Sequence, residues 1–370
     1  MKSNRWVKYP SPTDECKGVI ERALSFINNS SPEASFKRAI RGRPNLPGCY
    51  ELYLKVLWSL PRVIRVYPHV KPFSREAVEL ALKAKPDPFS LPRWIFERMY
   101  PLLGDNGMAG LYSRRSWVRV NTLKGDRDEI IESLRVKGYS FSLDEDFDFL
   151  LNWISPKPSS TDEFREGLII PQDKSSAIVV SVLNPKPGEN ILEIGGSPGG
   201  KTSLIQQITN NSSYVVSLDI SEKRVNLQRR LLRLWGVENV DVILADGSNF
   251  KVRKVDKILI DAPCSNSGTI NVDPSIPFRL TKTELNKLVR IQREILKNAF
   301  SSGVEIVYST CSLFPEEGEK QVEIYSKYLE KVTNDPAHFG YKRSKVWMRV
   351  MRTYPSLDQS EGFFISKIKP

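Results

Sequence analysis

Short apolar runs alternate with amphipathic stretches in the second half of the chain, from residue 187 onward. The apolar runs predict five strands, at 191–194, 214–218, 240–244, 257–260 and 304–308. After the second strand, apolar residues at helical spacing predict a helix that Ser221 caps and Gly236 ends. Because strands that alternate with helices form parallel sheets covered on both faces, this half predicts a mostly parallel, doubly wound α/β fold.

The first 170 residues have a different pattern. Apolar residues recur at helical spacing at 19–27 and 50–60, in a stretch broken by prolines at 44, 47 and 61, which predicts a helical domain over residues 1–110. A strand at 118–122 and a helix at 126–137, ended by Gly138, predict a small α+β domain over residues 111–170. Residues 171–370 then form the sheet domain.

Candidate chemistry falls at the carboxyl ends of the predicted strands, where ligands bind in open α/β sheets. Three of these strands lead to Asp219, Asp246 and Asp261. Two thiols follow buried strands, Cys264 in Asp-Ala-Pro-Cys-Ser (261–265) and Cys311 in Ser-Thr-Cys-Ser (309–312). A thiol at this edge of a sheet is placed for nucleophilic chemistry.

A Gly-rich turn at 195–202 follows the first strand and allows two interpretations. Its sequence, Gly-Gly-Ser-Pro-Gly-Gly-Lys-Thr, also fits the phosphate-loop pattern of nucleotide hydrolases. Against that alternative, Glu193 would bring a carboxylate to a triphosphate, and Pro198 removes an N–H that a phosphate would need. Asp219 lies about 20 residues past the glycines, where an acid accepts the hydroxyls of a ribose. These features favour a nucleoside cofactor with a cationic amino-acid part.

Composition narrows the partners and the compartment. The 370 residues carry a formal net charge of +12, which favours an anionic partner over a basic solvated surface by a small margin. The four cysteines lack paired spacing, so we expect a reducing, cytoplasmic setting. The apolar stretches are too short to span a bilayer, and neither His69 nor His338 lies in a motif. We expect no metal, no membrane association and a monomer.

From Trp117 to the C-terminus the chain resembles the Sun-type (Nol/Nop/Sun) RNA cytosine-5 methyltransferases. The motifs that carry the likeness are Arg-Val-Asn-Thr-Leu-Lys (119–124), Gln-Asp-x-Ser-Ser (172–176), the Gly-rich turn after Glu193, both cysteine segments and Gly-Phe-Phe (362–364). Three departures stand out: Gly195-Gly196-Ser197 replaces the family's Cys-Ala-Ala, Asn266 stands where Gly is usual, and Gly318 stands where Asn is common.

The resemblance implies a Rossmann-like class I methyltransferase domain that uses S-adenosylmethionine. It assigns to the cofactor Glu193, Gly195, Gly196, Ser197, Pro198, Gly199, Gly200, Lys201, Asp219, Arg224, Asp246 and Asp261. Asp219 would hold the ribose and Asp246 the adenine amino group, although a strand-end Asp also serves as a helix cap. Arg224 fits a solvated helix face as well, and Lys201 fits a capping or phosphate-binding role besides orienting Asp261.

The same resemblance implies covalent catalysis on carbon 5 of a cytidine in RNA. Cys311 would add to carbon 6 of the ring, Cys264 would assist release of the product, and Asp261 and Lys201 would complete the catalytic group. The residues themselves do not rank the two thiols. A catalytically silent RNA-binding or ribosome-assembly protein with this fold is the alternative of another class.

The target base must leave its stack, since carbon 6 lies inside a duplex. Arg114, Arg115, Arg119, Lys124 and Arg127 are candidates to line the RNA approach, with Trp117 as a stacking surface; an ordinary basic face with a packed Trp explains them equally well. The helical N-terminal part is similar to the extension of the bacterial ribosomal-RNA enzymes, which favours ribosomal RNA, with transfer RNA as the alternative.

Overall fold

The computed structural model describes residues 12–42, 46–250 and 254–370. It forms two compact units. The first, called here the helical unit, comprises the described residues of 1–112 and residues 269–282. The second, called the sheet unit, comprises the described residues of 113–268 and residues 283–370. The three-part division at residues 110 and 170 stays a prediction.

In the described ranges the helices are α1 (Asp14–Ser25), α2 (Pro32–Ile40), α3 (Cys49–Val66), α4 (Arg75–Lys83), α5 (Arg93–Ala109), α6 (Arg127–Val136), α7 (Asp162–Glu166), α8 (Lys174–Leu183), α9 (Gly200–Ile208), α10 (Glu222–Leu234), α11 (Ile276–Arg279), α12 (Lys282–Phe300), α13 (Glu319–Val322) and α14 (Pro355–Asp358). The strands are β1 (Ser116–Val120), β2 (Ser140–Leu143), β3 (Leu150–Ser155), β4 (Ile169–Pro171), β5 (Asn190–Ile194), β6 (Tyr214–Asp219), β7 (Val240–Leu244), β8 (Lys257–Asp261), β9 (Glu305–Thr310), β10 (Leu329–Glu330), β11 (Met351–Arg352) and β12 (Phe364–Ile368).

The helical unit is built around the apolar faces that its sequence predicts. The α1 positions Val19, Ile20, Ala23 and Leu24 are fully buried, and they pack in one core with residues of α3 and α4. Thr13 caps α1 through the backbone N–H of Cys16. Burial of these faces, rather than local helix propensity, holds the unit together.

Two expectations about this unit are wrong. Pro61 lies inside α3 and does not end it, because the buried face of that 18-residue helix outweighs the one hydrogen bond that proline cannot donate. Pro44 lies outside the described residues. Cys16 and Cys49 form a disulfide across a separation of 33 residues, which the absence of a paired spacing had not suggested. The inference of a reducing compartment from unpaired cysteines therefore loses its basis.

The sheet unit contains a mostly parallel sheet in the order β10-β12-β9-β8-β5-β6-β7, with β11 paired to β12. Strands β5 to β9 run parallel, and β12 is antiparallel to β9. Each of the five strands predicted after residue 187 begins within one residue of its observed start. The predicted mostly parallel, doubly wound α/β fold is confirmed.

A smaller antiparallel sheet, in the order β2-β3-β1-β4, precedes it in the same unit. The predicted helix after β1 is α6, whose N-cap Asp126 accepts hydrogen bonds from the N–H groups of Asp128 and Glu129. Asn121, next to β1, donates to the carbonyl oxygens of Gly167 and Trp235 and so anchors this sheet beside α10. Over the described residues, we find no helix whose length and apolar character would let it cross a membrane.

Candidate active site

The parallel strands bring the predicted site residues to one edge of the sheet. Asp219 ends β6 and Asp261 ends β8. Asp246 lies two residues after the end of β7, and Cys311 follows β9 directly. Paired residues of neighbouring strands place Asp261 opposite Ser309 and Leu244 opposite Asp219. The prediction that these side chains share the carboxyl edge is therefore confirmed in geometry.

The Gly-rich turn lies too close to its neighbours for side chains. Gly195 has φ +83°, and a Cβ there would lie 2.2 Å from the carbonyl oxygen of Asp261. A Cβ on Gly196 would lie 2.1 Å from Ser217 Oγ and 2.3 Å from Glu193 Oε2. Gly199, at φ +104°, is the N-cap of α9. The cis peptide bond between Ser197 and Pro198 completes the turn.

Glu193 lies behind this turn and is fully buried. Its Oε2 accepts hydrogen bonds from Thr202 Oγ1 at 2.5 Å and Ser217 Oγ at 2.8 Å. Among the described residues, Oε1 is buried without a hydrogen-bond partner. Burial raises the pKa of Glu193, against the opposing effect of these hydroxyl donors. The side chain thus holds the turn from within and keeps one acceptor unused.

Asp219 and Arg224 lie together beside the turn. Asp219 Oδ1 accepts a hydrogen bond from the N–H of Ser221. Ser221 occupies the N-cap position of α10, as predicted, but its side chain makes no capping hydrogen bond. Asp219 Oδ2 is buried, lies 3.2 Å from Arg224 Nη2 and has no hydrogen bond from the described part of the chain. Arg224 also donates to the carbonyl oxygen of Ser197 at 2.6 Å. Its guanidinium therefore contacts the turn rather than only solvent.

Asp246 is exposed in the loop after β7. Its Oδ1 accepts hydrogen bonds from both the N–H and the hydroxyl of Ser248, each at 2.8 Å. It lies at the same sheet edge as Asp219, as the predicted adenine contact requires. These bonds form a turn and not a helix cap, since no helix begins between β7 and β8 in the described residues. The adenine role stays a prediction.

Lys201 and Asp261 form a largely buried ion pair. Lys201 Nζ lies 2.7 Å from Asp261 Oδ2, and the ammonium also lies 5.3 Å from the ring centre of Phe363. Burial alone would lower the pKa of Lys201, but the Asp261 carboxylate outweighs it and the net shift is upward. Lys201 is therefore a cation held against Asp261. Its predicted role in orienting Asp261 stays a prediction.

The two thiols converge although 47 residues separate them. Cys264 Sγ lies 3.2 Å from Cys311 Sγ, and both side chains are partly exposed. The hydrogen bond with Cys264, together with burial, raises the pKa of the Cys311 thiol well above its usual value. Asn266 Oδ1 lies within hydrogen-bond distance of both sulfurs, 3.4 Å from Cys264 Sγ and 3.2 Å from Cys311 Sγ. Because a thiol has one hydrogen, each thiol can donate either to this oxygen or to the other sulfur.

A buried network behind the thiols was not foreseen from the sequence. The carboxylate of Glu317 accepts the N–H and hydroxyl of Ser265, the hydroxyl of Ser312 and the amide of Gln292, at 2.5–3.0 Å. Ser265 and Ser312 each follow one of the cysteines. Glu317 thus joins the two thiol segments, and the only signal in the sequence was its place in the Glu316-Glu317 pair after the second segment.

A second unforeseen carboxylate, Glu361, lies next to the Gly-Phe-Phe segment. Its backbone N–H donates to Asp173 Oδ1, and burial raises the pKa of Glu361 to about 8, with Asp173 adding to the rise. Its charge acts on Cys311, Lys201 and Asp261. Glu317 and Glu361 are thus two titratable groups at the site that the motifs did not suggest.

Two of the candidates for RNA contact are wrong. Arg119 of β1 is fully buried and donates to Gln207 Oε1 and Ser203 Oγ of α9. It therefore links the small sheet to helix α9 and is not available to RNA. Trp117 is 4% exposed, and its Nε1–H donates to the carbonyl oxygen of Gln359, so its ring cannot stack on a base. Arg115 and Lys124 are exposed, as an RNA contact requires.

The residues of the turn fit an adenosyl amino acid. Asp219 Oδ2 and Glu193 Oε1 are buried acceptors that lack a hydrogen bond within the described ranges. The glycines expose the backbone of the turn, and Lys201, the cation that a phosphate would need, is already paired with Asp261. This donor set suits hydroxyls and a cationic amino acid better than a triphosphate.

Comparison with known proteins agrees with this geometry. Residues 180–369 match the model of the family described as 16S rRNA methyltransferase RsmB/F. The chain is 32% identical over 280 residues to the tRNA (cytosine(49)-C(5))-methyltransferase of Pyrococcus abyssi, an alignment covering 69% of this chain and 88% of that protein. It is 28% identical over 295 residues to the ribosomal RNA small subunit methyltransferase B of Enterobacter sp. (strain 638), covering 76% of this chain and 66% of that protein.

The crystal structure of PH0851 shares the fold, with a TM-score of 0.80 at 22% identity over 98% of this chain and 100% of that one. The nucleotide-hydrolase interpretation of the Gly-rich turn finds no support in these likenesses. The family match spans the strands that carry Glu193, Asp219, Asp261 and both thiols. The chain belongs to the RsmB/F family of RNA cytosine-C5 methyltransferases.

Proposed function

We propose that this enzyme methylates carbon 5 of one specific cytidine in ribosomal RNA through a covalent bond between Cys311 and the base. The observation that carries the proposal is the pair of thiols 3.2 Å apart, at the sheet edge where the Lys201–Asp261 ion pair also lies. One thiol suffices for addition to the ring. Two thiols at one site support a reaction in which one adds and the other assists release.

The residues divide the chemistry in a defined order. Carbon 5 of cytosine is a weak nucleophile, and the Cys311 thiolate makes it stronger by adding to carbon 6. We assign to Asp261 the hydrogen bond with ring nitrogen 3 that stabilises the adduct. Lys201 fixes the orientation of that carboxyl group. Once carbon 5 carries the methyl group, Cys264 acts as the base that takes the carbon 5 proton, the bond between Cys311 Sγ and carbon 6 breaks, and Cys311 leaves as a thiolate. The family likeness assigns this role to Cys264.

S-adenosylmethionine supplies the methyl group when it is bound. We assign the turn from Gly195 to Lys201 to its methionine part. We assign to a ribose hydroxyl the Oδ2 of Asp219, which is ion-paired with Arg224 but accepts no hydrogen bond in the described residues. Arg224 holds both by contacting the Ser197 carbonyl and the Asp219 carboxylate. Binding of the cofactor measured by calorimetry without magnesium tests this assignment, and magnesium-dependent ATP binding in its place would overturn it.

The covalent route is tested with single cysteine variants. Cys311→Ala removes the nucleophile, so we expect neither methylated RNA nor a protein–RNA adduct. Cys264→Ala removes the release step, so we expect a methylated adduct that migrates slowly on a denaturing gel. The double variant should give neither product nor adduct. Accumulation of the adduct in Cys311→Ala would invert the two roles, and wild-type protein without transferase activity on any RNA would overturn the proposed function.

The choice of ribosomal over transfer RNA rests on the family description and on the helical unit that extends the enzyme at its N-terminus. The transfer-RNA enzyme of P. abyssi, of which the chain covers 88%, supports the alternative. Transfer of a labelled methyl group to deproteinised ribosomal RNA, intact subunits and total transfer RNA decides between them. Bisulfite sequencing of the labelled RNA then identifies the nucleotide. The cytoplasmic location and the monomeric state both stay predictions. Light scattering, which measures the molar mass in solution, tests the monomeric state.

A further inference from the structure

Asn266 occupies an unusual position between the two thiols. Its Oδ1 lies 3.2 Å from Cys311 Sγ and 3.4 Å from Cys264 Sγ, while the sulfurs lie 3.2 Å from each other. Its backbone has φ +56°, in the left-handed region that glycine adopts freely and that Asn and Asp tolerate better than other residues. Where the resembled family usually has glycine, this chain therefore has an amide side chain that reaches both sulfurs.

We propose that Asn266 is a further catalytic residue of this enzyme, whose amide oxygen accepts hydrogen bonds from both thiols and holds them protonated and side by side before the base enters. The assignment rests on the proposed function, because it gives both sulfurs a part in one reaction. A carbonyl oxygen attracts S–H groups and repels a thiolate. It therefore stabilises the resting, protonated pair and places both sulfurs against the same entering base.

Other charged groups also act on these thiols and must be kept constant in a test. Asp261, at the end of β8, and Glu361, before β12, disfavour a thiolate at Cys311, whereas Lys201 of α9 favours it. Tyr308 of β9 lies near Cys264. Because none of these side chains is altered by substitution at residue 266, a change in thiol reactivity there reports the amide itself.

The chain offers two variants that keep the backbone conformation and change the hydrogen bond in opposite ways. Asn266→Gly suits φ +56° and removes the acceptor. Asn266→Asp suits the same φ and replaces the amide oxygen with a charged acceptor of similar size. Alkylation of Cys264 and Cys311 by iodoacetamide is followed by peptide mass spectrometry between pH 7 and 11, since only the thiolate reacts. Each profile gives a midpoint, which reports protonation, and a plateau, which reports access.

We expect the Cys311 midpoint to move down by about half to one pH unit in Asn266→Gly, as the loss of one hydrogen bond to a neutral acceptor predicts. At a pH below the midpoint this equals an alkylation rate roughly three to ten times higher. Asn266→Asp should move the midpoint up. Unchanged midpoints in both variants, or an upward shift in Asn266→Gly, would overturn the proposal; the latter would mean that the amide nitrogen faces the sulfurs.

The proposal and the function on which it rests fail in different ways. Alkylation needs neither RNA nor cofactor, so the midpoints report the hydrogen bonds even if no RNA substrate is methylated. With RNA, Asn266→Gly should also form the covalent adduct more slowly under single-turnover conditions, because the two sulfurs are no longer held together. Normal adduct formation with altered midpoints would overturn the catalytic role and leave the hydrogen bonds as the whole effect.

Discussion

The Glu317 network makes a prediction that separates thiol positioning from cofactor binding. The perturbation is Glu317→Ala, with Glu317→Gln as the matched control of nearly equal shape. Glu317 accepts four hydrogen bonds from Ser265, Ser312 and Gln292, and its side chain is fully buried. The two serines directly follow Cys264 and Cys311. Removing the carboxylate therefore releases both thiol segments together.

The expected cost follows from the partners that are left behind. The hydroxyls of Ser265 and Ser312 also contact Ser267, at 3.1 and 3.0 Å, and the Gln292 amide also donates to the Pro263 carbonyl. The Ser265 N–H depends on Glu317. One orphaned N–H and three weakened bonds destabilise the sheet unit by about 3–5 kcal/mol. Glu317→Gln keeps one acceptor oxygen, so it should cost about 1–2 kcal/mol.

Thermal unfolding with and without S-adenosylmethionine measures this cost in the sheet unit, since the transition that the cofactor shifts belongs to the unit that binds it. A loss of 3–5 kcal/mol in a unit of this size lowers that Tm by roughly 10 °C. Because a displacement near 1 Å costs about a hundredfold in rate, kcat should fall by about that factor in Glu317→Ala. The Kd for S-adenosylmethionine should stay within about threefold, because the described partners of the Glu317 carboxylate are Ser265, Ser312 and Gln292, which lie outside the Gly-rich turn.

Two results would refute this reasoning. If Glu317→Ala weakens cofactor binding as much as it slows methyl transfer, the network supports the whole sheet edge rather than the thiols. If Glu317→Ala unfolds at the wild-type temperature, the buried hydrogen bonds contribute nothing to stability. Should Glu317→Ala fail to fold, Glu317→Gln still tests the separation of kcat from Kd.

Further predictions concern the turn, a titrating pair and the disulfide. Gly196→Ala should abolish cofactor binding in calorimetry and lower the Tm, because the new Cβ meets Ser217 and Glu193. The control is Gly200→Ala, which should keep the wild-type Tm because its Cβ meets no atom within 4 Å. The hydrogen bond to Asp358 raises the pKa of His338 to about 9. The protonated imidazole therefore adds about 2 kcal/mol to the free energy of unfolding below pH 6.5, and this contribution is lost as the pH rises through 9. In urea unfolding, His338→Gln should weaken the dependence of the unfolding free energy on pH over this range. Reducing the Cys16–Cys49 disulfide, which spans 33 residues, should destabilise the helical unit by about 4 kcal/mol and leave the cofactor-shifted transition unchanged.

Strand positions in the sheet unit were predictable because each buried strand is a short apolar run that ends at a polar residue. β7 was predicted with both ends correct, and β5 and β8 differ by one residue at a single end. The site edge followed from the same pattern, since parallel strands end together. Asp219, Asp261 and the two thiols therefore meet as expected.

Contacts between distant segments were not predictable, because periodicity reports which side of an element is buried and not its partner. Arg119 is of a residue type that often contacts RNA, yet its guanidinium is buried and donates hydrogen bonds to Gln207 and Ser203. The pairing of Cys16 with Cys49 depends on the way α1 packs against α3. Glu317 looked like one of many surface acids until the fold placed it between two segments 47 residues apart.

The departures of the Gly-rich turn from the resembled pattern have a common cause in the contacts of the turn. A Cβ at Gly195 would meet the Asp261 carbonyl of β8, and one at Gly196 would meet Ser217 of β6 and Glu193 of β5. In this chain the Cys-Ala usual at these positions would therefore clash with three strands. The close contact sets the turn directly on Asp261, whose carboxylate pairs with Lys201 at the start of α9. The Gly-rich turn assigned to the cofactor thus contacts the backbone of Asp261, which is assigned to the target base. A side chain at residue 195 should therefore displace Asp261 as well as weaken cofactor binding.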